Sequence, residues 1–341
     1  MRVLTFGEIL LRLSSPGYTR LFQKDSLEAT FCGSEVNVAV SLAKFGVDTT
    51  FLTKLPNSDV GHAAINSIRY FGVNADKVIY GSGRMGLFYL EKGVSQRPSK
   101  VMYDRQYSAI AEAKPDEFNW EAIFQDVDWF HWTGITPALS DSMIETCLVA
   151  CKYAHNAGIT ISCDLNFRAK LWSSEIAQKT MKELFKYVDI CIANEEDAEK
   201  VLGIKAANSN VNTGQIDKAK YLVVAQEIVK QYGCKYVAIS LRESHSASDN
   251  GWSGMLYNSS SDECCFSKHY EIKLVDRLGG GDSFAAGIIF GLANKMKTQD
   301  IIEFAAAASC LKQTMEGDYN RSSVDEVMNL VNSNGTGRIQ R

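Results

Sequence analysis

The chain has 341 residues, of which 45% are hydrophobic and 22% are charged, and this composition is typical of a globular protein with a sizeable core. Its formal net charge is −4 and acidic and basic residues are interleaved, so we expect no nucleic-acid partner. Glu8 and Arg12 interrupt the apolar start of the chain, which argues against a signal peptide or a membrane span there. The nine cysteines lack the spacing of a disulfide framework, so we expect reduced thiols and a cytoplasmic protein.

Short apolar runs alternate with segments of helical periodicity along most of the chain. The runs predict strands at 2–10, 48–55, 128–134, 159–166, 189–194 and 234–241. The periodic segments predict helices at 34–46, 59–72, 140–158, 173–188, 195–203, 218–233, 282–295 and 298–315. Ser140 or Asp141 is the expected N-cap of the third helix. This alternation favours an α/β fold with a mostly parallel central sheet flanked by helices.

Three regions break the alternation. Residues 13–33 lack helical periodicity, and residues 84–110 have the pattern of a hairpin, with Gly93 and Pro98 at its turn. We predict that these two segments form a small antiparallel β lid inserted into a single domain spanning 1–341. Residues 244–262 are rich in Ser, Asn and Gly, which predicts a surface loop around a short strand.

The segment "GSGRMG" at 81–86 matches the glycine spacing of dinucleotide-binding loops. Such a loop needs a helix after it, and here the strand-like run "LFYLEKG" follows. We therefore interpret it as a glycine-rich hinge into the lid and not as a nucleotide site.

The segment "LGGGDSFAAG" at 278–287 is the strongest functional signal. Consecutive glycines at the start of a helix leave backbone N–H groups open to an anion, and the helix dipole favours negative charge there. A carboxylate beside an anion site is expected if Asp282 handles a proton, as phosphoryl transfer to a hydroxyl requires. The alternative is a turn in which Asp282 is an ordinary N-cap.

The segment "DRLGGGDSFAAG" resembles the C-terminal signature of the ribokinase-like (PfkB-type) carbohydrate kinases. "CGSEVNVAVSLAKFG" resembles the N-terminal signature of that family, and "ANEEDAEKVLG" resembles its Asn-x-x-Glu segment. The three motifs occur in the family order over nearly the whole chain. Within the family, "GEILLRLSSPGYTRL", "GITPALS", "DLNFRAKLW" and the ending "GRIQR" look most like 2-keto-3-deoxygluconate kinases. The resemblance implies a ribokinase-like fold with a β-sheet lid, ATP as the donor and a sugar acid as the acceptor.

The family pattern, transferred residue by residue, makes Asp282 the base that takes the proton of the substrate hydroxyl. It makes the three preceding glycines the anion hole for the transferred phosphoryl group, and it gives the N-terminal signature contacts to the sugar. The anion-hole residues are Gly279, Gly280 and Gly281, and the sugar contacts are Gly33, Ser34 and Asn37. Helix capping or a buried polar contact is the alternative for Asn37.

A sugar acid carries a carboxylate, which a guanidinium can bind with two hydrogen bonds. The candidates are Arg105 on the lid hairpin and Arg168, which follows a predicted strand. Tyr103 lies two residues before Arg105, and Tyr89 lies on the partner strand of the hairpin. An ordinary surface arginine is the alternative for Arg105.

The resemblance also implies a nucleotide site and a magnesium ion. Asn166, Arg168, Asn194, Arg242 and the anion-hole glycines Gly279 and Gly281 are the expected ATP contacts. Asp197 replaces the family's glutamate and is expected to hold Mg²⁺ through water, while Asn194 has helix N-capping as a strong alternative role. Asp276 is the expected neighbour of a monovalent cation such as K⁺, and Asp318 matches a second acidic position that touches the substrate.

The resemblance therefore implies an ATP- and Mg²⁺-dependent kinase that phosphorylates 2-dehydro-3-deoxy-D-gluconate at its terminal hydroxyl. The predicted partners are the sugar acid, ATP and a second copy of the chain bound through the lid. The alternatives are another kinase of the family, such as a fructokinase or ribokinase, and a non-catalytic sugar-binding regulator on the same scaffold.

Overall fold

The computed structural model describes residues 1–194, 196–205 and 218–333. Glu195, within the predicted helix 195–203, and the ending "GRIQR" lie outside the described residues. In the described part of the chain, no helix is long and apolar enough to cross a membrane.

A nine-stranded sheet forms the centre of the molecule, in the order β14-β13-β12-β11-β10-β9-β1-β4, with β15 also pairing with β13. Neighbouring strands are parallel along the part of this order from β12 to β4. In contrast, β13, β14 and β15 add antiparallel pairs at the other edge. The strands are β1 (Arg2–Phe6), β4 (Asp48–Leu52), β9 (Trp129–Thr133), β10 (Thr160–Asp164), β11 (Ile190–Asn194), β12 (Tyr236–Ser244), β13 (Asp249–Asn258), β14 (Glu263–Phe266) and β15 (Tyr270–Lys273). The prediction of a mostly parallel central sheet is confirmed.

Helices cover both faces of this sheet because successive strand residues are buried on opposite sides. In β11, Ile190 and Ile192 enter one apolar cluster, and Cys191 and Ala193 enter another. The helices are α1 (Ser34–Lys44), α2 (Asp59–Arg69), α3 (Trp120–Phe124), α4 (Asp141–Asn156), α5 (Ser174–Leu184), α6 (Asp197–Leu202), α7 (Lys218–Tyr232), α8 (Gly280–Ala293), α9 (Thr298–Gln313) and α10 (Val324–Asn332). The Ser140 hydroxyl accepts from the Met143 amide, so Ser140 is the N-cap of α4.

A separate four-stranded sheet, here called the small sheet, has the order β3-β2-β7-β8. Its strands are β2 (Leu10–Ser14), β3 (Glu28–Cys32), β7 (Leu87–Glu91) and β8 (Lys100–Asp104), and a short parallel pair, β5 (Lys54–Pro56) and β6 (Ile79–Gly81), lies apart from it. The predicted hairpin is present, but the small sheet is not wholly antiparallel, because β2 and β7 pair in parallel.

The predicted strand at 2–10 is in fact two strands in different sheets, since the chain leaves β1 at Gly7 and enters β2 at Leu10. A Cβ atom at Gly7 would lie 2.1 Å from the Glu35 carboxyl carbon, so the turn depends on glycine. Periodicity could not reveal the break because both strands are apolar.

The prediction of a surface loop around a short strand at 244–262 is right that a strand is present but wrong about its length and exposure. Strand β13 occupies ten of these residues and is buried along nearly its whole length. Close packing explains the small residues of this strand, because a Cβ atom at Gly254 would lie 2.6 Å from the Phe284 ring of α8. The strand therefore brings α8 close to the sheet.

Helices α8 and α9 pack closely against each other. A Cβ atom at Gly287 would lie 2.5 Å from the Cα atom of Ala305, so small residues on both helices set this short separation. This packing fixes the N-terminus of α8 beside the carboxyl ends of β10 and β11, which is where ligands bind in open α/β sheets.

Candidate active site

A cleft of about 210 Å³ opens between the carboxyl ends of β10 and β11 and the N-terminus of α8. It brings together all of the predicted catalytic and nucleotide-binding residues, although they come from four separate segments of the chain. The predicted residues that line it are Asn166, Arg168, Asn194, Asp197, Arg242, Gly279, Gly280, Gly281 and Asp282.

The Asp282 side chain is buried in the first turn of α8 and contacts the N-terminal signature. Its Oδ1 accepts from the Ser34 hydroxyl at 2.5 Å, and its Oδ2 accepts from the Asn37 amide at 2.6 Å. Burial raises the pKa of Asp282 to about 6, while these two hydrogen bonds oppose the rise. A carboxylate with this pKa can accept a proton near neutral pH.

The glycine loop before Asp282 leaves the backbone at the start of α8 open. Gly279 has φ +77°, and a Cβ atom there would lie 2.0 Å from the Asp318 carbonyl oxygen, so the turn requires glycine. At Gly281, by contrast, a Cβ atom would meet nothing within 4 Å. The fold therefore does not require glycine at 281. A ligand that approaches the first-turn amides would require it, because a side chain there would block the approach.

Two further carboxylates line the cleft and lack strong pairing. Burial raises the pKa of Asp164 well above its usual value, and the Asp197 and Asp282 charges raise it further. Burial also raises the pKa of Asp197, whose Oδ2 is buried and has no hydrogen-bond partner among the described residues. A cation between these carboxylates and a phosphate group would relieve this repulsion, so the residues fit a magnesium ion.

No group of three or more His, Cys, Asp or Glu side chains in the described part of the chain is arranged to hold a metal by itself. Magnesium commonly binds to one or two carboxylates together with substrate phosphates and water. The two cleft carboxylates match that pattern better than they match a metal cage made entirely of protein ligands.

Asn166, Arg168 and Asn194 have local hydrogen bonds as well as positions in the cleft. The Asn166 amide donates to the Ser34 hydroxyl at 2.9 Å, which links β10 to the N-terminal signature. The Arg168 guanidinium donates to the Phe167 carbonyl oxygen at 3.1 Å. The Asn194 side-chain oxygen accepts from the backbone amides of residues 196 and 197, so Asn194 holds the turn that leads into α6 while it lines the cleft.

The opposite wall of the cleft is basic. Arg242, at the end of β12, and Arg277 both line it, and burial together with the Arg242 charge lowers the pKa of Arg277. Trp252 from β13 and Gln313 from α9 complete this side. Two neighbouring guanidinium groups are suited to a polyanion such as a nucleotide phosphate chain.

Asp276 and Asp318 do not line the cleft but belong to a buried ionic cluster behind it. The Arg12 guanidinium donates to Asp276 Oδ2 at 2.7 Å and also to Asp318 Oδ2. All three side chains are almost completely buried. Asp318 was expected to contact substrate and Asp276 to contact a monovalent cation, but here both carboxylates bind Arg12.

The predicted lid residues are divided between the two faces of the small sheet. Arg12 is the register partner of Phe88, and Phe88 is the partner of Tyr103, so these three share the face directed at the core. Tyr89 is one residue along from Phe88 and lies on the other face. One ligand therefore cannot contact both tyrosines across the same sheet face.

The Arg105 guanidinium is buried and already paired. Its Nε donates to Glu8 Oε2 at 2.8 Å, its Nη2 contacts the same oxygen, and its Cζ lies 4.9 Å from the Tyr103 ring centroid. Ser108 donates to the other Glu8 oxygen at 2.9 Å. Arg105 thus anchors the base of the small sheet, and it is a weaker candidate than Arg168 for a ligand carboxylate.

The sequence interpretation missed Asp164, Arg277, Arg12 and Lys312. Asp164 lies in the segment "DLNFRAKLW" and Arg277 lies in the segment "DRLGGGDSFAAG", so both could have been recognised as candidate site residues. Arg12 gave a signal in the apolar strand "LLRLS", because a charge at an inward position needs a buried partner. Lys312 follows the small-residue run of α9, and only the tertiary structure reveals its contacts.

Comparisons with known proteins show the family of this chain. The model of the pfkB family of carbohydrate kinases matches residues 2–325. A curated 2-dehydro-3-deoxygalactonokinase from Haloferax volcanii is 31% identical over 98% of this chain and 98% of its own. A crystal structure of a 2-dehydro-3-deoxygluconokinase from Thermotoga maritima is 48% identical, has a TM-score of 0.93, and covers 98% of this chain and 100% of that one.

A fructokinase structure from Xylella fastidiosa with bound ATP covers 97% of this chain and 98% of its own, at 20% identity and a TM-score of 0.76. This similarity shows a shared fold only. Kinases of the matched family use ATP and Mg²⁺. Given a family match over nearly the whole chain, this protein belongs to the pfkB family of carbohydrate kinases.

Proposed function

We propose that the protein transfers the γ-phosphoryl group of ATP to the terminal hydroxyl of 2-dehydro-3-deoxy-D-gluconate, giving the 6-phosphate and ADP. The observation that carries this proposal is the buried carboxylate of Asp282, with its pKa raised to about 6, at a helix start whose backbone is open. Few structural roles would place an acid there, because burial disfavours its charge, the Arg168 charge offsets this only in part, and no salt bridge to Asp282 occurs within the described residues.

A sugar acid is the acceptor that the relatives favour. The names of the Thermotoga maritima and Haloferax volcanii proteins both specify 2-dehydro-3-deoxy sugar acids, which differ in the configuration of one carbon. Arg168 lies at the cleft next to Asn166 and supplies a guanidinium for the acceptor carboxylate or for the ATP phosphates. The higher identity to the gluconate enzyme makes the gluconate acid the first choice.

The reaction consists of one proton transfer and one phosphoryl transfer. Asp282 accepts the proton of the sugar hydroxyl as its oxygen bonds to the γ-phosphorus, and the bond from that phosphorus to the β-γ bridging oxygen breaks, releasing ADP. Ser34 and Asn37 orient the carboxylate through their hydrogen bonds. The first-turn amides of α8 stabilise the charge on the transferred group.

The remaining groups bind the nucleotide and the metal. Arg242 and Arg277 are placed to contact the phosphate chain, and Trp252 lies beside them in the cleft. Asp197, through water, and Asp164 would hold Mg²⁺, which neutralises phosphate charge when it is bound. The small sheet acts as a lid that closes over the sugar and excludes water, with Tyr103 on its inner face.

The nine cysteines support a cytoplasmic location. All of them lie in the described part of the chain and are free thiols, and eight are buried. A reducing compartment would keep such thiols unpaired.

The proposal is tested by measuring ADP release from ATP and Mg²⁺ with a panel of acceptors. The panel contains 2-dehydro-3-deoxy-D-gluconate, its galactonate epimer, fructose and ribose. We expect the highest kcat/KM for the gluconate acid, at least about tenfold above fructose and ribose. A preference for fructose or ribose would support another kinase of the family, and tight sugar binding without turnover would support a regulator.

Arg168→Gln sharpens this test because it removes the guanidinium and keeps the side-chain length similar. If Arg168 binds the acceptor carboxylate, kcat/KM for the sugar acid falls about 10- to 150-fold, since a charged hydrogen bond contributes about 1.5–3 kcal/mol. Turnover of a neutral sugar should fall much less. Equal losses for both acceptors would place Arg168 on the nucleotide instead.

A further inference from the structure

Lys312 on α9 is completely buried although it carries an ammonium group. Its Nζ donates to the backbone carbonyl oxygen of Asp276 at 3.0 Å, and no other hydrogen bond of this group occurs within the described residues. Burial lowers the pKa of Lys312, and the charges of Asp276 and Asp318 oppose that change. Burying a lysine side chain is unfavourable, so its position next to the glycine loop needs an explanation.

The Lys312 ammonium lies beside Asp276, the residue near which the family resemblance implies a monovalent cation. The oxygens of Asp276 are all in use: Oδ2 accepts from Arg12 at 2.7 Å and from the Gly317 amide at 3.3 Å, and Oδ1 accepts from the Leu278 amide at 3.2 Å. A potassium ion bound to these oxygens would approach two fixed cations, Arg12 and Lys312, at low dielectric. The residues at Asp276 therefore do not fit an exchangeable cation.

The contacts of α9 show how the ammonium can act on the glycine loop. The Gln313 carbonyl oxygen accepts from the amides of Val275 and Asp276 at 3.0 and 3.3 Å. The Ser309 hydroxyl donates to the Gly280 carbonyl oxygen at 2.7 Å. Together with Lys312, these groups hold the backbone from Val275 to Gly280, immediately before the amides that face the cleft.

We propose that the Lys312 ammonium acts as a tethered cation in place of an exchangeable K⁺ ion and positions the loop Asp276–Gly281 for phosphoryl transfer. An ammonium group and a potassium ion are similar in size and charge, and both bind carbonyl oxygens. Lys312 is thus a positioning residue, because it reaches the reaction through the loop. The proposal rests on the kinase function proposed above, and it predicts that catalysis needs no added monovalent cation.

The first experiment compares the wild-type enzyme in buffers whose monovalent cation is either K⁺ or tetramethylammonium. We expect kcat and the KM for ATP to agree within about twofold between the buffers. Activation by K⁺ of tenfold or more would overturn the proposal. The thermal shift caused by a non-hydrolysable ATP analogue is measured in both buffers as well, so cation dependence can be read even if no tested sugar is phosphorylated.

The second experiment uses Lys312→Met and Lys312→Ala, with the exposed Lys182→Met as the matched control. We expect kcat to fall at least tenfold in both Lys312 variants, with the KM for the sugar within a few-fold. Ammonium or methylammonium should restore part of the kcat of Lys312→Ala and leave the control unchanged. A wild-type kcat in Lys312→Met would overturn the proposal. It would also be overturned if no amine restores the activity of Lys312→Ala and the activity falls in proportion to the amount of folded protein.

Discussion

Two groups of buried carboxylates lie close together in this protein and differ in their partners. Behind the cleft, Asp276 and Asp318 share the Arg12 guanidinium, with Lys312 beside them. In the cleft, Asp164, Asp197 and Asp282 are also buried, but hydroxyl, amide and backbone groups are their main hydrogen-bond partners.

This difference separates structural acids from acids available to ligands. Burial raises the pKa of each cleft carboxylate, and the Arg168 charge lowers each of them without removing the shift. The ionic cluster has Arg12 in direct contact with its carboxylates, whereas no cleft carboxylate has a salt bridge within the described residues. An unpaired buried acid is therefore a better sign of function than a buried acid alone.

The largest effect is expected for Asp282→Asn, which removes the proposed base and keeps the shape of the side chain. We expect kcat to fall about 100- to 10,000-fold, while sugar affinity changes within a few-fold. Single-turnover kinetics and equilibrium sugar binding measure the two quantities. Turnover within tenfold of the wild-type value would show that Asp282 is structural.

The same variant should not be less stable. Because the folded pKa of about 6 lies above the unfolded value of 3.8, the wild-type protein loses stability as the pH rises through this range. At pH 8 the buried charge costs up to about 3 kcal/mol, part of which Asn recovers. We expect the free energy of unfolding of Asp282→Asn to rise by about 1 kcal/mol at pH 8 and to be unchanged near pH 4.

The next largest effect tests the ionic cluster. Arg12→Met leaves Asp276 and Asp318 buried without their cation, which should lower the free energy of unfolding by about 3–5 kcal/mol. Urea unfolding measures it. Arg69→Met at the exposed Arg69–Asp76 pair is the control and should cost less than about 1 kcal/mol. Similar costs in the two variants would contradict the distinction between the two groups of acids.

A smaller effect is expected for Ser34→Ala. Its hydroxyl stabilises the charged form of Asp282, so its removal should raise the pKa of that base above about 6. The rate should fall on the acid side of the profile, and the acid limb of kcat/KM against pH should move upward by about half to one pH unit. Ser41→Ala, whose hydroxyl bonds within α1, is the matched control. If the acid limb of kcat/KM does not move in Ser34→Ala, the group that titrates is not the one to which Ser34 donates.

The smallest effect on catalysis is expected on the outer face of the small sheet. Met102 and Phe22 are exposed there, and we predict that this face joins two copies of the chain. Met102→Glu should shift the protein toward monomer in sedimentation velocity while kcat changes less than about threefold. If the wild-type protein sediments as a monomer, the prediction that this face joins two copies is wrong.

The sequence was most informative where one segment carries a complete signal. The segment "LGGGDSFAAG" holds both the glycines and the carboxylate, so Asp282 and its loop were predicted as a unit. The mostly parallel sheet followed from the alternation of apolar runs and helical periods. In contrast, 244–262 was predicted as a surface loop around a short strand because Gly and Ser are common in loops, yet there small residues allow a long buried strand to pack against α8.

The sequence by itself determined most of the helices and parallel strands, the family motifs and the residue types available for phosphoryl transfer, because each of these is encoded within short segments. Only the tertiary structure decided which charges meet. Arg12 reaches residues 276 and 318, and Arg105 reaches Glu8, across separations of 97 to 306 residues. Local patterns carry no information about such partners, and the partners decide whether a buried charge is neutralised in the fold or left for a ligand.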